Sequence, residues 1–238
     1  MITIKRKPDF KKDFYEQTAW AQNQVIAGVD EVGRGCLAGP VVAAALILHP
    51  GKKSRLIKDS KLLTPEELQK SYAWIIKNSW SSLAVMNHRL IDRVNIYQAT
   101  LLAMKRASIQ LLSTVPLKPN LFVVDAMPLS LNAFEGDIIH FIYGESKSSS
   151  IAAASIVAKV TRDRIMRTIA HSIPGYLFEN HKGYSTPTHK RYIKELGKSF
   201  LHRITFIDHL DSFSDNDEFH EQQSLFAENI LNGEISLL

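Results

Sequence analysis

Only one cysteine, Cys36, occurs in the 238 residues. That excludes an internal disulfide framework and fits a reducing compartment, so a cytoplasmic protein is expected. Long apolar runs are missing too. The longest, Val41–Leu48, is far shorter than the roughly 20 residues of a spanning helix, so no membrane partner is expected. The lysine-rich stretch Met1–Phe14 lacks the apolar core of a leader, so no signal peptide is expected. Positive charge is absent from one end, since no Lys or Arg follows Arg203.

That last absence divides the chain. It carries 29 basic and 24 acidic residues, a net charge of +5, and eight of the acids lie beyond Arg203. Residues 1–207 therefore hold 29 basic against 16 acidic residues, a net of +13. So basic a body suits a polyanion, because each cation that neutralises a phosphate releases condensed counterions. An acidic tail would be repelled by the same phosphates and is expected to point elsewhere.

The pattern along the chain predicts a basic N-terminal arm (1–20), a main α/β domain (21–211) and an acidic tail (212–238). Gln24–Asp30 reads as a strand ending at an acidic pair. After a glycine-rich turn, Val41–Leu48 reads as its antiparallel neighbour. Thr64-Pro65-Glu66-Glu67 has the signature of a helix start, with Thr64 as N-cap, Pro65 at N1 and Glu67 at N3. Ser82–Met86 suits a third strand. Apolar residues at helical spacing (Ile96, Leu101, Leu102, Met104, Ile109, Leu112) predict one long helix over Ile91–Leu112. Leu121–Asp125 suits a short buried strand ending in an acid, and Ile138–Tyr143 suits another strand. Ser150–Arg167, rich in alanine, suits a helix packed closely on a sheet. Pro187–Leu196 suits another, stopped by Gly197. Strands alternating with helices indicate an α/β domain with a central mixed β-sheet flanked by helices.

Acids at the ends of buried strands carry the chemistry. Ionised carboxylates are costly there unless paired or bound to metal. If the strands that end at Asp30 and Asp125 are neighbours, their carboxylates converge, with Glu31 beside the first and Glu145 following the strand Ile138–Tyr143. Such a cluster suits hard divalent cations and two-metal phosphoryl chemistry. Taken singly, each acid is as well explained by a strand end facing water. Gly33-x-Gly35-x-x-x-Gly39 loosely matches a dinucleotide-binding fingerprint, but that loop must open a helix. Here it runs into Pro40-Val41-Val42 and a strand.

The stretch Ile26-Ala27-Gly28-Val29-Asp30-Glu31-Val32-Gly33-Arg34-Gly35-Cys36-Leu37-Ala38-Gly39-Pro40-Val41-Val42-Ala43-Ala44-Ala45 resembles the opening signature of bacterial ribonuclease HII. The resemblance continues at Asp59-Ser60-Lys61, at Ile91–Thr100 and at Val124-Asp125. It recurs at Ser150–Asp163 and at His181-Lys182-Gly183-Tyr184. These collinear blocks cover about residues 20 to 207, and Arg34 favours this family over its ribonuclease HIII paralogue, which usually has lysine there. The resemblance implies a ribonuclease H-like fold with a small C-terminal helical part, and an endoribonuclease that hydrolyses the RNA strand of RNA–DNA hybrids. It also implies cutting 5′ of ribonucleotides embedded in duplex DNA, with Mg²⁺ or Mn²⁺, leaving 3′-hydroxyl and 5′-phosphate ends, in the service of ribonucleotide excision repair. The family's metal carboxylates map onto Asp30, Glu31 and Asp125. Its glycine–arginine–glycine element maps onto Gly33, Arg34 and Gly35, whose backbone would read the 2′-hydroxyl that separates RNA from DNA. Its junction-sensing tyrosine maps onto Tyr184, and Lys61, Asn95 and Lys182 map onto phosphate contacts.

Some positions depart from the family. Lys-Gly-Asp is usual before the Ala-rich helix, and this chain has Tyr143-Gly144-Glu145. The fourth carboxylate is therefore Glu145, with Asp163 as competitor; Asp163 stands four residues after Lys159 and four before Arg167, a comfortable structural position. The altered fourth acid leaves a second class of function open, a nucleic-acid-binding relative without activity. In the tail, Gln222-Gln223-Ser224-Leu225-Phe226 resembles the short bacterial sliding-clamp-binding motif, Gln-x-Ser/Asp-Leu-Phe. Leu225 and Phe226 would fill an apolar pocket while Gln222 fixes register, making the clamp an expected partner.

Overall fold

The computed structural model describes residues 11–208, apart from residue 133. Residues 1–10 and the tail residues Gln222, Leu225 and Phe226 lie outside the described residues.

Val41–Leu48 forms β2, and all eight of its residues are buried. A strand this apolar must be covered on both faces, and alternation along it decides by what. Val42, Ala44, Leu46 and Leu48 pack against α6 (Ser149–Ser172) and α2 (Pro65–Lys77). On the other face Ala45 stands opposite Ser82 of β3 (Ser79–Met86). Ser82 Oγ donates to Ala107 O of α4 (Ile96–Thr114) at 2.6 Å. Small residues let both helices approach. Ala152, Ala153 and Ala154 face the sheet from α6, while Ala99, Ala103, Ala107 and Leu111 are buried on α4.

The sheet has the order β3-β2-β1-β4-β5, with β1 at Ile26–Val32, β4 at Leu121–Asp125 and β5 at Asp137–Phe141. β1 pairs antiparallel with β2 and parallel with β4, and β4 pairs parallel with β5. The sheet is therefore mixed, as expected. Gly28 pairs with Leu46 and shares its face, where a Cβ would strike the Ser150 backbone. Glycine is required there because the first turn of α6 crosses β1 at van der Waals contact.

The capping box on α2 forms as the sequence implies, with Thr64 and Glu67 bonding each other's backbone N–H. Three expectations are corrected. The long helix over Ile91–Leu112 is two, α3 (His88–Val94) and α4, because Asn95 takes φ 68° and its side chain caps Gln98 N–H. Its buried stripe keeps Met104 but otherwise runs through Ala99, Ala103, Ala107 and Leu111, and Ile109 is exposed. Residues 11–20 are not a separate arm. α1 (Phe14–Ala21) buries Tyr15 and Ala19 beside Ile26, Leu121, Val123 and Ile151. Its acids also complete α6: Glu16 Oε1 accepts from Ser150 N–H at 2.9 Å, and Asp13 Oδ1 accepts from Ser149 N–H at 2.8 Å. Those N–H groups have no partner inside the helix, and carboxylates at a helix N-terminus are electrostatically favoured.

Among the described residues the chain divides after Arg203, where a second unit begins. The described part of the second is a turn of helix at Ile204–Ile207.

Candidate active site

Strand pairing brings the acids together. Val29 is registered with Val124, so Asp30 and Asp125 follow one another on adjacent parallel strands. β5 then turns through Tyr143 into the short helix α5 (Gly144–Lys147), which carries Glu145. Gly144 N–H donates to Asp125 Oδ1 at 2.7 Å, pinning α5 to the end of β4. Asp30, Glu31, Asp125 and Glu145 line one cleft of about 700 Å³, together with Ser60, Lys61, Ser155, Lys159, Asp163, Arg167, Lys182 and Tyr184.

The cleft is electrostatically loaded. Burial, then the nearby charges of Asp125, Glu31 and Glu145, push the Asp30 carboxyl well above the usual carboxylate range. Burial also raises Glu31, against the pull of Arg34, and it raises Asp125 and Glu145. Ser60 Oγ donates to Glu145 Oε1 at 3.1 Å and contacts Ser155 Oγ at 2.8 Å. Glu31 Oε1 faces Arg34 Nη1 at 3.5 Å, while its buried Oε2 has no hydrogen-bond partner among the described residues.

An all-oxygen set with an orphaned carboxylate oxygen and mutually raised acids fits Mg²⁺ or Mn²⁺, whose charge would relieve the repulsion. Among the described residues, no three His, Cys, Asp or Glu side chains already stand at ligand spacing around one point. The donors converge without forming a closed shell.

Asp163 lines the same cleft, yet Lys159 Nζ holds its Oδ1 at 3.0 Å, the ion pair its spacing suggested. Lys182 is also committed locally, its Nζ donating to Glu179 O. Asn95, expected as a phosphate contact, is exposed and caps α4, outside the residues that line the cleft.

Gly33, Arg34 and Gly35 form the turn after β1, beside the cleft rather than in its lining. Two arginines, both fully buried, shape this turn. Arg203 donates to Gly33 O at 2.6 Å, Arg34 O at 2.8 Å and Gly39 O at 2.9 Å. Arg162 donates to Pro40 O at 2.9 Å, Lys182 O at 2.9 Å and Ala38 O at 3.1 Å. Gly33, at φ 94°, admits the Arg162 side chain where a Cβ would stand. The tyrosine loop joins the same structure. Cys36 bridges Tyr184, and Leu37 N–H donates to Gly183 O at 2.9 Å. Lys159 Nζ and the Arg162 guanidinium lie 5.1 and 5.4 Å from the Tyr184 ring centroid, within cation–π range.

Sequence reasoning missed several of these residues. Ser60 and Ser155 stood inside the quoted motifs without a role, and Arg203 was only the last cation before the acidic tail. Nothing in their local spacing marks them, because their partners lie far along the chain.

A mixed sheet in this order, with acids near the ends of β1 and β4 and an alanine-faced helix across it, defines the ribonuclease H-like fold, which is that of the metal-dependent ribonucleases H. Residues 27–209 match the family model of Ribonuclease HII, and the chain belongs to that family of endoribonucleases. Ribonuclease HII of Lactobacillus delbrueckii subsp. bulgaricus is 44% identical over 206 residues, covering 85% of this chain and 77% of that protein. The crystal structure of ribonuclease H2 from Pyrococcus horikoshii OT3 superposes with a TM-score of 0.63 at 26% identity, covering 81% of this chain and 100% of that one. Ribonuclease HII of Archaeoglobus fulgidus, solved as a complex with PCNA, gives 0.61 at 21% identity over 83% of this chain and 99% of its own. At that identity it speaks for the fold alone. No described helix is long and apolar enough to cross a membrane.

Proposed function

We propose that this enzyme hydrolyses the RNA strand of RNA–DNA hybrids and cuts 5′ of ribonucleotides embedded in duplex DNA, leaving 3′-hydroxyl and 5′-phosphate ends. The observation that carries this reading is the joining of two devices in one region. Four carboxylates share a cleft with Tyr184, and the loop that bears Tyr184 is bridged to the Gly33-Arg34-Gly35 turn.

Asp30, Glu31, Asp125 and Glu145 would hold two divalent ions, which when bound activate water and stabilise the leaving oxygen. The protein's own work is positioning. The exposed Gly35 and its neighbours offer backbone close to a 2′-hydroxyl, and buried Arg203 and Arg162 keep that backbone from yielding. Arg34 and Lys61 supply positive charge near the carboxylates, and Lys182 supplies it at the cleft wall, where phosphates would pass. Tyr184 presents its ring to the cleft, where it can pack on the sugar after the ribonucleotide. The acidic tail would bind a bacterial sliding clamp through Gln222, Leu225 and Phe226, raising effective concentration where ribonucleotides are misincorporated.

The test is cleavage of two substrates, a DNA duplex with one ribonucleotide and a continuous hybrid, with Mg²⁺ and with Mn²⁺. Cutting of both, on the 5′ side of the single ribonucleotide, is expected. Metal-independent cutting, or none at the single ribonucleotide, would refute the reading.

A further inference from the structure

Behind Tyr184 stand three buried histidines whose ring nitrogens are all engaged. His181 Nε2 lies 2.7 Å from Tyr176 O, which can only accept, so that nitrogen carries the proton, and Nδ1 accepts from Gly183 N–H at 3.1 Å. His202 Nδ1 accepts from Ser199 N–H at 2.8 Å, which leaves the proton on Nε2. That proton points at His189 Nε2, 3.0 Å away. His189 must then carry its own on Nδ1, where Tyr184 O lies at 2.8 Å. One arrangement satisfies every bond: three neutral rings, each donating once and accepting once. The rings of His181 and His189 stack at 4.1 Å, and Phe178 and Tyr176 close the group.

Two of these bonds end on the peptides that aim Tyr184, namely Gly183 N–H and Tyr184 C=O. The third ring, His202, fixes the tautomer of His189 and bridges Ala38 on the segment that follows the glycine–arginine–glycine turn. We infer that His181, His189 and His202 are positioning residues for Tyr184, a neutral three-ring chain that sets its ring against the cleft and ties it to the turn. The inference rests on the proposed junction-sensing role of Tyr184.

The surroundings favour neutrality. Burial pushes His189 down to about 3 and His202 to about 4, and it lowers His181 as well. The charged or titratable groups facing them are Glu179 and Lys182 at His181, and His88 and Lys198 at His202, besides the three rings themselves. Only Glu179 among these favours a cation. An added proton on His181 Nδ1 or His189 Nε2 would meet another donor. At His202 it would meet Ser199 N–H, with the Ser199 hydroxyl, 2.8 Å away, free to rotate.

The test compares His189→Phe with His189→Asn, whose amide can still donate to Tyr184 O, on the single-ribonucleotide duplex and on the long hybrid. His189→Phe should lower the ratio of the two rates about tenfold, and Tyr184→Ala, the direct control, is expected to lower it by as much. His189→Asn should restore at least half of it, on the scale of one hydrogen bond. Equal losses on both substrates, or no difference between the variants, would overturn the inference. Should His189→Phe fail to fold, imidazole ¹⁵N spectra of the wild type decide. Neutral rings with Nε2–H on His181 and His202 and Nδ1–H on His189 are expected from pH 5.5 to 8, and titration of any of the three near 6.5, or other tautomers, overturns it. If the wild type cuts no embedded ribonucleotide, the junction reading fails with this inference, while correct tautomers would still show the chain as built.

Discussion

Gly144 N–H donates to Asp125 Oδ1 at 2.7 Å, so the peptide that precedes the fourth acid holds the third one in place. A Cβ on Gly144 would stand 2.7 Å from that same oxygen and 2.7 Å from Ile151 Cδ1. Gly144→Ala is therefore expected to push Asp125 off its bond. The cost should be about 1–3 kcal/mol of stability, as for other overpacked sites. Metal-dependent cleavage should fall more than the loss of folded protein explains. Wild-type rates at full folding, checked by urea titration alongside the assay, would show that the carboxylates tolerate the shift.

Asp30 is the most heavily crowded acid of the cleft, raised by burial and by three other carboxylates. Asp30→Asn removes a charge that costs stability when no cation is bound. The metal-free variant should melt above the wild type; for a chain of this size ~1 kcal/mol corresponds to about 2–4 °C. Mg²⁺ should raise the melting temperature of the wild type and leave that of the variant nearly unchanged. Activity should drop by about 100-fold or more, as when a preorganised electrostatic group is lost. An equal Mg²⁺ shift in both proteins would remove Asp30 from the ligand set.

Glu145 and Asp163 line one cleft but face different partners, Ser60 for the first and Lys159 for the second. Glu145→Gln should keep the fold and lose most cleavage at saturating metal. Asp163→Asn should weaken its bond to Lys159 and change rates by less than about tenfold, equivalent to 1.4 kcal/mol. The opposite ranking, with both variants folded by circular dichroism, would hand the fourth position to Asp163.

Arg203 is buried, which pushes it down to about 10, so it remains charged at neutral pH. Its fork satisfies the carbonyls of Gly33, Arg34 and Gly39 together. Lysine cannot reproduce that planar fork. Arg203→Lys should cost about 3 kcal/mol or more, since buried acceptors are left unpaired. Among the folded molecules, discrimination between ribonucleotide and deoxyribonucleotide should weaken. A change in melting temperature with unaltered discrimination would confine Arg203 to stability.

The histidine chain gives a pH dependence with a definite sign. Unfolded imidazoles take a proton near pH 6.5, whereas His189 and His202 stay neutral in the fold down to about 3 and 4. Below pH 6.5 the unfolded chain thus binds more protons, and stability present above that pH is lost as it falls. Between pH 7 and pH 5 the two rings together should lower unfolding free energy by roughly 2–4 kcal/mol. A double variant, His189→Asn with His202→Gln, should show a shallower slope in urea titrations. An unchanged slope would mean that other groups set the acid sensitivity.

What the sequence by itself determined was local or periodic. The capping box at Thr64 and Glu67, the alanine face of α6 and the fully apolar β2 each follow from neighbours within a few residues. The acids Asp30 and Asp125 were legible because buried carboxylates need a reason, although Asp30 lies two residues inside β1 and only Asp125 ends its strand, and the family resemblance supplied Tyr184. Tertiary structure decided the rest. Asn95 looked like helix interior until its positive φ split the helix, a conformation the apolar spacing of its neighbours does not encode. On α4 packing chose Met104 and Leu111 together with three alanines and left Ile109 outside, because small residues let the helix approach β2 and β3 closely. Arg203 reaches back to Gly33, Arg162 to Ala38 and Pro40, and three histidines find one another around Tyr184. Such bonds join residues far apart in the chain, and their energy exists only once the polar groups are buried together, where a donor without its acceptor is costly.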